Sequence, residues 1–161
     1  MESPFLLNLF RFYREGTLRL LKEADEELAD RIPGGFPNSI KWNAGHILIV
    51  FDDLIMRPLF NGRGKYGHLR SFFKMGTRPS EWKESPITLK ELCHLLQEQD
   101  QDFSDLLPER FNEPIARPVR IRDLELKTPG ELLQFGTAHE AMHQGNIKGI
   151  LFGLRGGIKI P

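Results

Sequence analysis

The sequence contains four long stretches that each begin with a helix-capping signal and continue with apolar residues at helical spacing. The clearest start is Thr128-Pro129-Gly130-Glu131, which combines an N-cap threonine, a proline at the first helical position and a glutamate that can complete a capping box. This signal predicts a helix from residue 128 to about residue 154, just before Gly156-Gly157. A chain with four such helices is restricted to a few α-helical arrangements.

The other three signals predict helices over residues 5 to 31, from Asn38 or Ser39 to about residue 60, and from Thr88 to about residue 107. The connections at 61–87 and 108–127 are rich in glycine and proline and show no sustained period, although residues 119 to 126 could extend briefly. No strand pattern is long enough to build a sheet. The sequence therefore predicts a single all-α domain over residues 1–161, folded as a four-helix bundle with long connections.

The composition argues against several classes of protein. Lysine plus arginine and aspartate plus glutamate both number 22, so the formal net charge is zero and no bulk positive field favours nucleic acid. Cys93 is the only cysteine and cannot form an internal disulfide. The N-terminus lacks the pattern of a secretory signal, and no uncharged apolar run approaches the ~18 residues that cross a bilayer. We expect a soluble cytoplasmic protein that binds neither nucleic acid nor membrane.

A pair of histidines on the last predicted helix is the strongest indication of chemistry. His139 and His143 are four residues apart, so their side chains project from one helical face with Cβ atoms roughly 5–6 Å apart. They share the stripe of Leu132 and Ile147, which a bundle would bury. Two buried imidazoles at this spacing can share one metal ion. The alternative is that each histidine forms an ordinary hydrogen bond in the core.

The pair also has the HExxH spacing of zinc proteases, His139-Glu140-Ala141-Met142-His143. The metzincin extension fails, because Asn146 and Gly149 stand where its glycine and third histidine belong. No aspartate, glutamate or histidine follows His143, which also excludes the other common third ligands. The sequence argues against a protease, and a third ligand must come from earlier in the chain.

Three histidines precede the pair. His94 shares a helical face with acidic and amide side chains, which predicts that it points to solvent, and His68 lies in the glycine-rich connection, where a ligand would be poorly fixed. His46 lies inside the apolar run at 44–51, where a bundle core could present it to the last helix. A histidine in such a run most often bonds a neighbouring carbonyl group. The predicted metal ligands are nevertheless His46, His139 and His143.

Two motifs resemble those of the DinB-like (YfiT-like) superfamily of metal-binding four-helix bundles. They are Trp42-Asn43-Ala44-Gly45-His46-Ile47 and His139-Glu140-Ala141-Met142-His143-Gln144-Gly145-Asn146-Ile147, and the segments at 72–77 and 86–89 are similar as well. The resemblance implies a bundle with unusual connectivity, a divalent ion on three histidines, and often a homodimer. Members include transferases and isomerases that use low-molecular-weight thiols.

Three neutral imidazoles leave a bound ion its full charge and an open coordination position, as in catalytic metal sites. Histidine suits several metals, and we expect zinc or nickel. Glu140 could act as a general base or orient a ligand, or could simply be a solvated helix residue. The leading hypothesis is a metal-dependent enzyme that transfers a small thiol to an electrophilic substrate. The alternatives are a hydrolase that uses metal-bound water and a non-catalytic, metal-stabilised stress-response module.

Overall fold

The computed structural model describes residues 3–59, 62, 64–106 and 110–156. The chain forms, in order, the helices α1 (Ser3–Leu21), α2 (Glu26–Asp30), α3 (Ile40–Phe51), α4 (Arg57–Leu59), α5 (Arg70–Phe73), α6 (Leu89–Leu106) and α7 (Pro129–Leu154). Two strands, β1 (Val119–Ile121) and β2 (Leu124–Leu126), lie between α6 and α7.

Four of these helices make the body of the fold. α1 and α3 each pack against both α6 and α7, so α1 and α3 face one another across the bundle. The chain therefore crosses the bundle diagonally between its first two long helices. The predicted all-α four-helix bundle is confirmed. Within the described residues, no helix is both long enough and apolar enough to cross a membrane.

The first predicted helix is wrong in its extent, because α1 ends at Leu21 and a separate short helix, α2, begins at Glu26. The cause is local: the Asp25 carboxylate accepts the backbone N–H of Leu28 at 2.8 Å and caps a new helix. The helical spacing of apolar residues continues through this break, so the pattern alone predicted one continuous helix.

The second predicted helix starts where expected, since the Ser39 hydroxyl accepts the N–H of Trp42 at 3.1 Å and caps α3. Beyond Phe51 the helix continues through a π-helical turn, Asp52–Met56, into α4. Residue 60, its predicted end, lies outside the described residues. The Asp52 carboxylate accepts the backbone N–H of Lys65 at 3.0 Å, which fixes the start of the following connection.

Both of the last two long helices begin with a capping box, including the one predicted at Thr128 and Glu131. At α6, Thr88 accepts the Glu91 N–H at 3.2 Å and Glu91 accepts the Thr88 N–H at 3.1 Å. At α7, Thr128 and Glu131 exchange the same two bonds. The predicted end of the third helix, residue 107, is outside the described residues.

The connection between α6 and α7 contains an antiparallel hairpin of β1 and β2, in which Val119 pairs with Leu126 and Ile121 with Leu124. Brief extension at 119–126 is therefore confirmed, whereas the expectation that no sheet would form is wrong, because the two short strands pair with each other. Arg122 turns the hairpin with φ of 53°, a left-handed conformation that non-glycine residues seldom adopt.

A buried polar network joins the four long helices. Arg14 of α1 donates to both carboxylate oxygens of Glu140 on α7, at 2.9 and 3.1 Å from its Nε, and to the Leu96 carbonyl of α6 at 2.7 Å. Gln99 of α6 donates to the Leu48 carbonyl of α3 at 3.0 Å. Both Arg14 and Gln99 are fully buried. These bonds are directional, so the network fixes how each helix is rotated about its axis.

Candidate metal centre

The three histidines predicted as ligands lie together, His46 on α3 and the other two on α7. One ligand nitrogen from each lies within 4.8 Å of the others. The ring centroids of His139 and His143 are 4.5 Å apart, and His46 is 5.2 and 4.8 Å from them. Residues far apart in sequence thus bring three imidazoles to one point.

Two of the rings are held by hydrogen bonds that fix where their protons reside. His46 Nδ1 lies 2.6 Å from the Phe73 carbonyl oxygen, and His143 Nδ1 lies 2.8 Å from Asn43 Oδ1. The Asn43 amide is oriented by its Nδ2, which donates to the Ser39 carbonyl at 2.8 Å. Because carbonyl oxygens only accept, both Nδ1 atoms donate. In the neutral rings, both Nε2 atoms therefore carry a free lone pair, the form in which imidazole binds metals.

Burial keeps the three rings neutral. Burial, with a smaller contribution from the neighbouring histidines, lowers the pKa of His139 to about 4 and that of His143 to about 3. Burial also lowers the pKa of His46, against the opposing effect of its bond to the Phe73 carbonyl. Among the described residues, no hydrogen bond occupies the His139 ring. Three neutral imidazoles, two buried and one half-buried, with free lone pairs fit a divalent metal ion.

The local sequence of α3 and its neighbours positions His46. The Trp42 ring stacks on the His46 ring at 4.6 Å and an interplanar angle of 12°. Trp42 is itself fixed by its indole N–H, which donates to Thr77 Oγ1 at 3.0 Å. Gly45 lies against the Phe73 ring, where a Cβ atom would overlap the ring. The absence of a side chain at Gly45 therefore lets Phe73 approach α3 closely enough for its carbonyl to reach His46.

A cavity of about 1090 Å³ opens beside the cluster. All three histidines line it, together with Trp42 and Asn43 of α3, residues 70, 74 and 75, and residues 120–122 and 124 of the β1–β2 hairpin. A metal on these histidines would therefore have an accessible side facing a space large enough for a small molecule. The site resembles an open metal site more than a closed structural one.

Glu140 lies on a different face of α7 from the histidines. It does not line the cavity, it is only 1% exposed, and its carboxylate is paired with Arg14. It is therefore not the solvated residue considered from the sequence, and its carboxylate is bonded to Arg14 instead of to a histidine of the cluster. This geometry gives no support to a role as general base.

The remaining upstream histidines stay away from the cluster. His94 is exposed on α6, as its periodicity predicts, and His68 is exposed in a 3₁₀ turn, Gly67–Leu69. Sequence reasoning did not assign roles to Asn43 or to the Phe73 carbonyl. Asn43 could have been found, because it precedes His46 by three residues on the same helix and is a polar side chain inside an apolar run. A backbone carbonyl carries no such signal.

Comparison with known proteins supports the fold and the family. No curated protein matches the sequence. The fold is similar to the crystal structure of a conserved protein from Enterococcus faecalis, with a TM-score of 0.65 and 16% identity over 97% of this chain and 99% of that one. The family model of the DinB superfamily matches residues 9–147, which span both histidine motifs. The chain belongs to the DinB superfamily.

Proposed function

We propose that the protein is a metal-dependent enzyme that holds a divalent ion, zinc or nickel, on His46, His139 and His143. We further propose that it transfers a small thiol to an electrophilic substrate bound in the adjoining cavity. The observation that carries the proposal is the convergence of three neutral imidazoles on the wall of a cavity of about 1090 Å³. A protein that used the ion only for stability would have no need of such an open side.

The residues around the cluster have distinct tasks in this proposal. The Phe73 carbonyl and Asn43 hold two imidazoles in the ligating tautomer, and Trp42 covers one face of His46. A divalent ion bound there would lower the pKa of a coordinated thiol or water and so supply a nucleophile at neutral pH. The cavity would bring the electrophile to that nucleophile. In the transfer, a carbon–sulfur bond forms, the thiol proton is released, and the leaving group departs with its electron pair.

The hydrolase alternative is less well supported. The residue that was expected to serve it as general base, Glu140, is paired with Arg14 away from the cavity. Asp53 lines the cavity but is engaged by Arg57 at 3.2 Å and Arg70 at 2.8 Å. Thiol transfer needs no such base, because a bound ion lowers the pKa of a coordinated thiol so far that the thiol is deprotonated at neutral pH.

The metal site is tested by elemental analysis of the purified protein and of single glutamine variants. We expect one equivalent of metal per chain, and its loss in His46→Gln, His139→Gln and His143→Gln. The matched controls are His68→Gln and His94→Gln, which alter exposed histidines and should keep the metal. Retention of full metal content in any of the first three variants would remove that residue from the site.

The thiol is tested on cobalt-substituted protein, whose absorption reports sulfur coordination. Titration with small thiols should produce a sulfur-to-metal charge-transfer band that saturates. Absence of the band with every thiol, together with ester turnover that needs no thiol, would favour the hydrolase. Absence of both, with a large loss of thermal stability in chelator, would favour the non-catalytic module. The homodimer also stays a proposal, to be checked by light scattering.

A further inference from the structure

The charged groups that line the cavity are mostly positive. Arg70, Lys74, Arg120 and Arg122 all contribute to its wall, and Asp53 is the only carboxylate among the described lining residues. Arg70 is neutralised by Asp53 at 2.8 Å. Arg120 lies 3.2 Å from Glu125, outside the cavity wall. Among the described residues, Lys74 and Arg122 have no carboxylate partner. The cavity thus offers two unpaired cations.

These two cations come from segments that are separate in the chain. Lys74 directly follows α5, and Arg122 occupies the turn of the β1–β2 hairpin. Arg122 adopts φ of 53°, where asparagine or glycine is the usual choice for a two-residue hairpin turn. An arginine in that conformation carries a backbone cost, and residues kept at such a cost are often functional. Arg122 lines the same cavity as Lys74.

The same wall also carries exposed apolar side chains. Met75, Met142 and Leu124 are 86%, 56% and 49% exposed, and all three line the cavity. Exposed apolar side chains that gather around one cavity commonly mark a ligand site, whereas scattered ones need no explanation. Methionine is suited to such a surface because its flexible thioether adapts to the shape of what it contacts.

We propose that the cavity binds a small amphipathic anion as its substrate. Its carboxylate, sulfonate or phosphate group contacts Lys74 and Arg122, and its apolar part lies on Met75, Met142 and Leu124. That this anion is the substrate rests on the proposed function, which places the reaction at the histidine cluster in the same cavity wall. The anion-binding groups belong to the chain itself, so the charge preference exists with and without metal.

The test compares two fluorescent probes that differ in one charged group, anilinonaphthalene sulfonate and the neutral N-phenylnaphthylamine. Both are titrated into the metal-free and the zinc-loaded protein. In the double variant Lys74→Gln/Arg122→Gln, the sulfonate should bind about tenfold more weakly and the neutral probe should change less than about twofold. The matched control, Arg19→Gln/Lys90→Gln, removes two exposed cations outside the cavity wall and should change neither affinity.

Each outcome decides the matter. An equal loss for both probes would show that the variant damages the cavity, and no loss for the sulfonate would show that the two cations do not hold anions; either result overturns the proposal. An equal effect of the control variant would also overturn it, because the overall charge would then be responsible. If the thiol titration fails but the double variant still loses affinity for the sulfonate probe alone, the proposed reaction is refuted and the anion site is kept.

Discussion

The Nδ1 of His143 donates to the Oδ1 of Asn43 at 2.8 Å, a bond that ties α7 to α3 and leaves Nε2 free. Asn43→Leu keeps the side-chain size and removes the acceptor. We expect the metal dissociation constant to rise by about 10- to 100-fold, because partners of ligating imidazoles contribute on that scale. Competition with a chromophoric chelator measures it.

Asn43→Asp keeps an acceptor for the His143 proton but loses the donor to the Ser39 carbonyl, so its metal affinity should lie between that of Asn43→Leu and that of the wild type. Asn146→Ala alters another asparagine of the cavity wall, one with no bond to an imidazole, and serves as the matched control. Wild-type affinity in Asn43→Leu would show that this bond does not orient the ligand.

Arg14 and Glu140 form a buried ion pair, so removing one partner should be worse than removing both. Arg14→Met leaves an uncompensated carboxylate in the core, and we expect a loss of about 3–5 kcal/mol in the free energy of unfolding. The double variant Arg14→Met/Glu140→Leu should recover most of that loss. Urea denaturation measures both. A double variant as unstable as the single one would contradict this account.

Gly45 should tolerate no side chain. Alanine there would overlap the Phe73 ring, which is fully buried and cannot move into solvent. We expect Gly45→Ala to lower the free energy of unfolding by about 1–3 kcal/mol and to weaken metal binding, because Phe73 also supplies the carbonyl that holds His46.

Gly145→Ala is the contrasting substitution. A Cβ atom there meets no atom within 4 Å, so alanine should stabilise α7 by about 1 kcal/mol. Thermal and urea unfolding of the two variants side by side gives the comparison. Equal effects would mean that packing against Phe73 is not what requires Gly45.

The metal-free protein should lose stability as the pH falls. The folded-state pKa values of His139 and His143, about 4 and about 3, lie below the ordinary value of about 6.5. The unfolded chain therefore binds more protons below pH 6.5, and stability falls as the pH falls towards 4. Between pH 7 and pH 5 we expect a loss of roughly 2 kcal/mol, a figure that allows for solvent screening.

Urea denaturation in chelator across this pH range measures the loss. His143→Gln should show a shallower dependence on pH, and His94→Gln, at an exposed position, should follow the wild type. A flat profile in the wild-type protein would contradict the predicted burial of the neutral rings.

The fold was predictable from the sequence where the signals were local. Capping residues such as Ser39 and Thr128 act within one helical turn, and the structure shows their bonds where the pattern places them. The break after Leu21 was not predicted, because the Asp25 cap lies inside an uninterrupted apolar period. The hairpin was only partly foreseen, since its strands are three residues each.

The candidate site divides in the same way. Helical spacing places His139 beside His143. The resemblance to the family agrees with the choice of His46 as the third ligand. The position of Glu140 depended on which face of α7 meets α1, and that is decided by its pairing with Arg14, a residue 126 positions away. The unpaired cations of the cavity wall come from two connections whose meeting no sequence pattern encodes.

The three histidines proposed as ligands come from opposite halves of the chain, so an unfolded polypeptide offers no preformed chelate. The topology has to be completed first, with neutral imidazoles held together by the apolar core and by the bonds of their Nδ1 atoms to the Phe73 carbonyl and to Asn43. An ion captured afterwards would act as a cross-link between α3 and α7, adding stability in proportion to the logarithm of its free concentration. Resistance of this protein to proteolysis would then become a gauge of how much metal its surroundings supply.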